Sequence, residues 1–368
     1  MDNVLNVLYI VITLGLTIFV HELGHFLMAK RAGIKVDSFA IGWGPKLFSF
    51  KKDETEYIIA LFVFLGGYVK MRGENPEEAA AVGEGGFLNK PPLVKIGVAV
   101  SGVIMNFIFA IFLLWVVAMA GTTYLKPVIG ELKAGYPAQL AGLQTGDIIK
   151  EINGKKLKYW EDVTEATGKA GIAPLTIVVE RATKSMSFVI TPRVEEYEDI
   201  LKDKKKKAFI GISPSDKDVE IKKYNPVESV KVAWDQTWFF TTITVRGLYK
   251  MVTRKMEPDV AGPIGVAQIT WKVAKTGLIN LLVLIALINV NLALFNLLPL
   301  VPFDGGLAAL FFIEMLRGKA LSLKIQEVLM SIGWGMIMLL IVFVTFKDIN
   351  RIVKENAEKK PVIENIKK

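Results

Sequence analysis

Hydrophobic and polar positions divide this chain into long uncharged runs and one polar stretch of short alternating segments. Four runs are long enough to cross a bilayer as helices: Asn3 to Val20 with 18 residues, Ile96 to Leu125 with 30, Thr276 to Phe303 with 28, and Val328 to Phe346 with 19. The hydrocarbon core asks for about 20. A fifth run, Tyr57 to Val69, has 13 residues and ends at Gly66-Gly67. It is too short to span, and the expectation is a re-entrant or interfacial strand pair whose backbone other protein must cover. From about 127 to 214 the pattern turns to β-rich segments such as "LTIVVER" and "SMSFVIT", parted by turn chemistry that includes Asn153-Gly154. That alternation predicts a small soluble α+β domain. Between Val230 and Thr253, Trp234, Trp238, Phe239 and Tyr249 mix with Asp235, Arg246 and Lys250, as on an interfacial amphipathic helix.

The expected fold class is a polytopic α-helical membrane protein of about four transmembrane helices, with a membrane-dipping β element and an inserted extracytoplasmic α+β domain. Its expected segments are a first transmembrane helix (1–30), a cytoplasmic and re-entrant β region (31–95), a second helix (96–126), the inserted domain (127–214), an amphipathic connector (215–275), a third helix with its loop (276–326), a fourth helix (327–347) and a basic tail (348–368). The first run lacks the basic leader and small-residue cleavage site of a signal peptide, so it reads as a retained helix. Lys30, Arg31 and Lys35 follow that run, whereas Met1-Asp2-Asn3 carries no basic side chain. The positive-inside rule then puts the N-terminus and the inserted domain outside the cytoplasm. The tail after Phe346, with seven Lys/Arg against four Asp/Glu, pulls weakly the other way.

Composition adds limits. Hydrophobic residues make up 52% of the chain, and there is no cysteine, which excludes disulfides and thiolate metal sites. The net charge of +9 suits contact with anionic lipid. No basic stripe interleaved with aromatics points to nucleic acid.

Both histidines of the chain stand in "FVHELGHFLMAK" at the end of the first run. Positions i and i+4 share a helix face, so His21 and His25 can offer ring nitrogens to one metal ion, with Glu22 beside it. This is the HExxH arrangement of zincins. Ionisable groups inside a span are costly and mark function more often than packing. A catalytic zinc takes three protein ligands and keeps a fourth position open. With no further His and no Cys, the third ligand has to be a carboxylate at membrane depth. Asp304 closes the third run, with Pro299 and Pro302 breaking the helix ahead of it and Gly305-Gly306 behind. It could equally cap the next helix. Glu314 is the rival ligand, expected instead at the surface near Arg317.

Taken in order along nearly the whole chain, HExxH at 21 to 25, "GGYVKM" at 66 to 71, "GPIG" at 262 to 265 and "NLLPLVPFDGG" at 296 to 306 resemble the site-2 protease family of intramembrane zinc metalloproteases. The stretch "YPAQLAGLQTGDIIKEINGKKL" (136 to 157) resembles the core of a PDZ domain, and the likeness is to the bacterial single-PDZ branch similar to the regulator of sigma-E protease. The resemblance implies one Zn2+ held by His21, His25 and Asp304, with Glu22 as the base. It implies substrate-binding roles for Asn106, Asn291 and Asn296, and for Gly66, Gly67, Tyr68, Val69, Lys70 and Met71 as a strand that pairs with unwound substrate. The implied partners are transmembrane protein substrates, which include anti-sigma factors and remnant signal peptides, the lipid bilayer, and a peptide ligand at the PDZ-like domain. The implied location is the bacterial cytoplasmic membrane. Two departures from the family pattern stand out: Pro302 falls one place late, and Leu307 occupies a position where a polar or basic residue is common. The competing function is a membrane-tethered PDZ binding module or chaperone with a vestigial metal site. A zincin of another topology would carry its third ligand on a soluble domain.

Overall fold

The structure, a computed structural model, describes residues 2–256 and 261–358. In chain order the elements are α1 (Asp2–Arg31), β1 (Val36–Lys52), β2 (Thr55–Met71), α2 (Pro76–Val82), α3 (Pro92–Ala120), β3 (Thr122–Leu125), β4 (Ile129–Leu132), α4 (Pro137–Leu140), β5 (Ile148–Ile152), β6 (Lys155–Lys156), α5 (Trp160–Ala170), β7 (Leu175–Arg181), β8 (Lys184–Ile190), β9 (Arg193–Glu198), β10 (Lys204–Phe209), β11 (Ile212–Pro214), β12 (Val219–Lys222), α6 (Pro226–Val252), α7 (Pro263–Ala274), α8 (Leu278–Asn296), α9 (Asp304–Arg317) and α10 (Leu323–Glu358). They fall into two compact units. One is helical, Met1–Val116 with Val230–Val245 and Glu257–Lys368; the other is α/β, Val117–Ser229 with Arg246–Met256.

Among the described residues four helices are long and apolar enough to cross a membrane: Val7–Arg31, Pro92–Ala120, Leu278–Asn296 and Leu323–Arg351. The third is shorter than its uncharged run. Pro299 and Pro302 each lack an amide hydrogen and clash with a preceding turn, so α8 ends at Asn296 and a new helix starts at Asp304. In the helical unit α3 and α8 bury Ala110, Leu114, Ile285, Ala286 and Val290 together with Ala233 of α6. Small residues at such crossings let the backbones approach. The "GPIG" segment opens α7, where the Gly265 amide donates to the buried Asp348 carboxylate of α10 at 2.8 Å. A carboxylate is well placed against the positive end of a helix.

The Tyr57–Val69 run is not a strand pair in itself. It is the interior of β2, and its partner is β1, which lies upstream at Val36–Lys52. Both strands bend, so that residues 38–41 of β1 face 56–59 on one side and 67–70 on the other, while 46–52 face 55–60. The outcome is a sheet of four short segments in the order 67–71, 36–41, 55–60, 46–52. Gly42 and Gly44, at φ of 93° and 91°, make the bend in β1 that a side chain would resist. Residues 66–71 are an edge, pairing only with β1 among the described residues.

In the α/β unit, the sheet order is β6-β5-β7-β8. Leu175, Ile177 and Val179 alternate inward from β7 onto Ile149, Ile152 and Val163, the period of two that the sequence showed. The unit reaches past 127–214 at both ends, since β3 pairs with β12. Asp147, buried in the turn ahead of β5, accepts two hydrogen bonds from the Arg181 guanidinium at 2.6 Å and one from the Gln144 amide at 2.9 Å. Burial pushes its pKa up, but the Arg181 and Gln144 bonds outweigh that and hold it below the usual 3.8. Because the folded value is depressed, this carboxylate stabilises the unit above about pH 4 and stops doing so as pH falls through the folded value. Asp147→Asn should therefore cost about 2 kcal/mol at neutral pH, read as faster hydrogen exchange at Ile149 and Ile177 in the full chain. The gap between variant and wild type should close as the pH is lowered below about 4.

Candidate metal centre

α1 presents His21 and His25 one turn apart, both buried, with their rings edge to face at 85° and 4.9 Å between centroids. Their Nε2 atoms are 3.3 Å apart. The Asp304 Oδ2 atom, from the first residue of α9, lies 3.2 Å from that of His21 and 3.4 Å from that of His25. The donor set and its spacing fit zinc: a tetrahedron with bonds of about 2.0–2.1 Å has edges of about 3.3–3.4 Å. The buried Oδ2 receives no hydrogen bond, and an ionised oxygen in such a place needs a cation. Three corners held by side chains leave one for water or substrate.

The cluster rests on α3. A β-carbon on Gly102 would stand 2.4 Å from His25 Nε2 and 2.7 Å from His21 Cε1, so only glycine leaves room for the rings. Gly24 does the same for the helix crossing, since its β-carbon would meet the Ser101 carbonyl oxygen at 2.4 Å. The His25 Nδ1–H donates to the Val98 carbonyl at 2.8 Å, which leaves Nε2 with its lone pair toward the cluster. The amide of Asn106, fully buried, lies 3.2 Å from His21 Nδ1 while its oxygen has no partner. Turning that amide over by 180° gives the oxygen an N–H from Nδ1 and frees His21 Nε2 for a metal in the same way. Asn106 is thus a partner of the His21 ring.

Asp304 reaches the histidines because the chain folds tightly around it. β-carbons on Gly305 and Gly306 would lie 2.2 Å from the Leu297 oxygen and 2.4 Å from the Leu300 carbonyl carbon. One on Gly333 of α10 would overlap the Val301 oxygen, at 1.4 Å. Asp304 is not a cap, for Phe303 holds that position and no side-chain cap bond forms there. Glu314 is far along α9 and binds Lys95 of α3 through both oxygens, at 2.7 and 2.8 Å, instead of lying free near Arg317.

Of the other sequence-predicted residues, Asn296 joins the centre, its amide nitrogen 3.2 Å from His21 Nε2. Asn291 does not; its oxygen accepts from Thr244 of α6 at 2.8 Å. Glu22 is half-buried under the sheet, and a β-carbon on Gly67 would come within 2.8 Å of Glu22 Cγ. Gly66 to Met71 form the edge segment, with Val69 buried beside Phe39 and the Tyr68 ring 5.2 Å from that of Trp43. Sequence reasoning missed Gly24, Gly333 and Lys95. A small residue on the helix that carries both histidines was the available signal for Gly24.

If the three side chains together hold a metal ion, removing one should release it. Asp304→Ala is expected to weaken zinc binding by more than about 100-fold in chelator competition, whereas the paired change Lys95→Met with Glu314→Leu, which removes an ion pair without stranding a charge, should leave it unchanged. Retention of zinc by Asp304→Ala would exclude it as a ligand. Gly333→Ala, by pushing on Val301, should weaken binding by about 10- to 100-fold with no ligand altered.

The chain matches the family description "Peptidase family M50" over residues 9–340. It is 30% identical to the Regulator of sigma-W protease RasP of Bacillus subtilis, covering 94% of this chain and 99% of that one. Zinc metalloprotease RasP of Bacillus licheniformis is also 30% identical, over 94% and 99%, and Protease RseP of Yersinia pestis 28%, over 93% and 98%. A solved PDZ domain of an SdrC-like protein from Listeria monocytogenes aligns with 26% of the chain and 94% of its own length at 22% identity, with a TM-score of 0.21. The chain belongs to peptidase family M50, the site-2 protease family, and is a zinc metalloprotease of the membrane.

Proposed function

We propose that this protein hydrolyses peptide bonds within or beside transmembrane segments of other membrane proteins. The observation that carries this reading is the place of the His21, His25 and Asp304 cluster: it lies among helices that cross the membrane, with the edge segment 66–71 passing over Glu22. The reading assigns one zinc ion to the three ligands and the general base to Glu22. Zinc bound there would bring the pKa of a coordinated water to about 7 and polarise the scissile carbonyl.

Glu22, one residue along α1 from His21, takes the proton from the attacking water and hands it to the leaving amine. Asn296, with its amide beside the ligands, donates to the oxygen on which negative charge develops. A helical amide is shielded and already hydrogen-bonded, so the substrate has to unwind. Pairing of the unwound chain with Gly66–Met71 replaces the bonds that it gives up. Exposed Trp43, Leu47, Phe48 and Phe50 on β1 support a sheet that dips into lipid. The basic residues in the last turn of α1 support a cytoplasmic site, with the N-terminus and inserted domain on the opposite side. Anti-sigma factors and remnant signal peptides fit as substrates by their single spans, and a bacterial cytoplasmic membrane fits as the location.

Glu22→Gln should keep zinc at the wild-type level and lose about 100- to 10,000-fold in cleavage of a model transmembrane segment. Cleavage near the wild-type rate would remove Glu22 as the base.

A further inference from the structure

The helical unit holds a cavity of about 960 Å³ between the first turn of α3, the chain around α2, α9 and the start of α10. None of the three metal ligands lines it. Phe311 and Met330 stand on an apolar wall, and Glu74, Glu327 and the Lys95–Glu314 pair supply the charge. Lys95, only 2% exposed, is fully engaged by both Glu314 oxygens, with the Phe311 ring 5.1 Å from its ammonium. That pair is neutral. Glu74, whose carboxylate accepts the Met71 backbone amide at 3.0 Å, and Glu327 form no ion pair among the described residues, and no lysine or arginine besides Lys95 lines the cavity.

Two placements say what belongs there. The cavity lies where α3 and α10 begin and α9 ends, and the last turn of α1, with Lys30 and Arg31, closes the same end of the bundle as the first turn of α3. Transmembrane segments of other proteins carry their own Lys and Arg at the cytoplasmic flank. Glu74 also follows the edge segment by three residues, so a chain extended along 66–71 runs past Met71 toward it. Lysine and arginine stems suit Phe311 and Met330, and their charged heads suit the carboxylates.

We propose that this cavity is a subsite for the basic residues flanking a substrate's transmembrane segment, and that it selects substrates by that flank. The proposal rests on the proteolytic reading above and adds the substrate feature that the enzyme recognises.

The test uses the full chain with zinc in phosphatidylcholine vesicles and one transmembrane segment bearing either Lys-Lys or Gln-Gln at its cytoplasmic end. Wild type should cut the Lys form with about tenfold higher kcat/KM. The double variant Glu74→Gln with Glu327→Gln should cut both forms at the rate wild type shows for Gln-Gln. No preference in wild type, or a preference that survives in the double variant, overturns the subsite. So does a rate that responds to added phosphatidylethanolamine and not to the flank, which would assign the cavity to a lipid headgroup. Cleavage of neither segment by any form would instead sink the proteolytic reading. The chain has no cysteine, so Met330→Cys in a Glu22→Gln background gives a second measurement. It should form a disulfide with a cysteine beside the substrate's Lys-Lys; failure to cross-link under conditions where the substrate binds counts against the proposal.

Discussion

An ionised carboxylate among apolar helices has to meet a cation, and much of the helical unit is arranged around that requirement at Asp304. Its oxygen faces two imidazole nitrogens at 3.2 and 3.4 Å, separations that one tetrahedral ion would close. To hold it there, α8 stops at Asn296, the chain bends through two prolines, and α9 starts at Asp304 itself. Gly305, Gly306 and Gly333 each sit where a β-carbon would strike the backbone of the bend. On the facing side Gly102 leaves space for the rings, and Val98 and Asn106 meet their outer nitrogens. Glycine is costly inside helices, so its repeated use at contacts with this one cluster reflects the tightness of the packing.

The second constraint is the backbone. A strand edge leaves amides and carbonyls that lipid would not satisfy. β1 and β2 limit this by bending, so that each half of one strand meets part of the other. The remaining edge at 66–71 is the one that passes Glu22. A strand edge beside Glu22 and the His21, His25 and Asp304 cluster has a physical use if an extended chain completes it.

The α/β unit obeys ordinary rules for a small water-soluble core. Its alternating strands bury one face, and its principal buried charge, Asp147, has an arginine and a backbone amide as partners.

The sequence by itself determined the four apolar spans, the alternating domain, and the placing of His21 and His25 on one helix face beside Glu22. These depend on spacing along one helix or strand, where period and neighbour are fixed by local geometry. It also narrowed the partners that could join the two histidines around a metal to carboxylates, because no other histidine or cysteine exists. Tertiary structure separated Asp304 from Glu314 by what each meets across the bundle: two imidazoles in one case, Lys95 in the other. It likewise separated Asn106 and Asn296, which touch His21, from Asn291, which touches Thr244. The pairing of Tyr57–Val69 with an upstream strand was hidden for the same reason. Which residues share a helix face follows from their own numbers, but which helix lies opposite is settled only when distant segments compete for the same space.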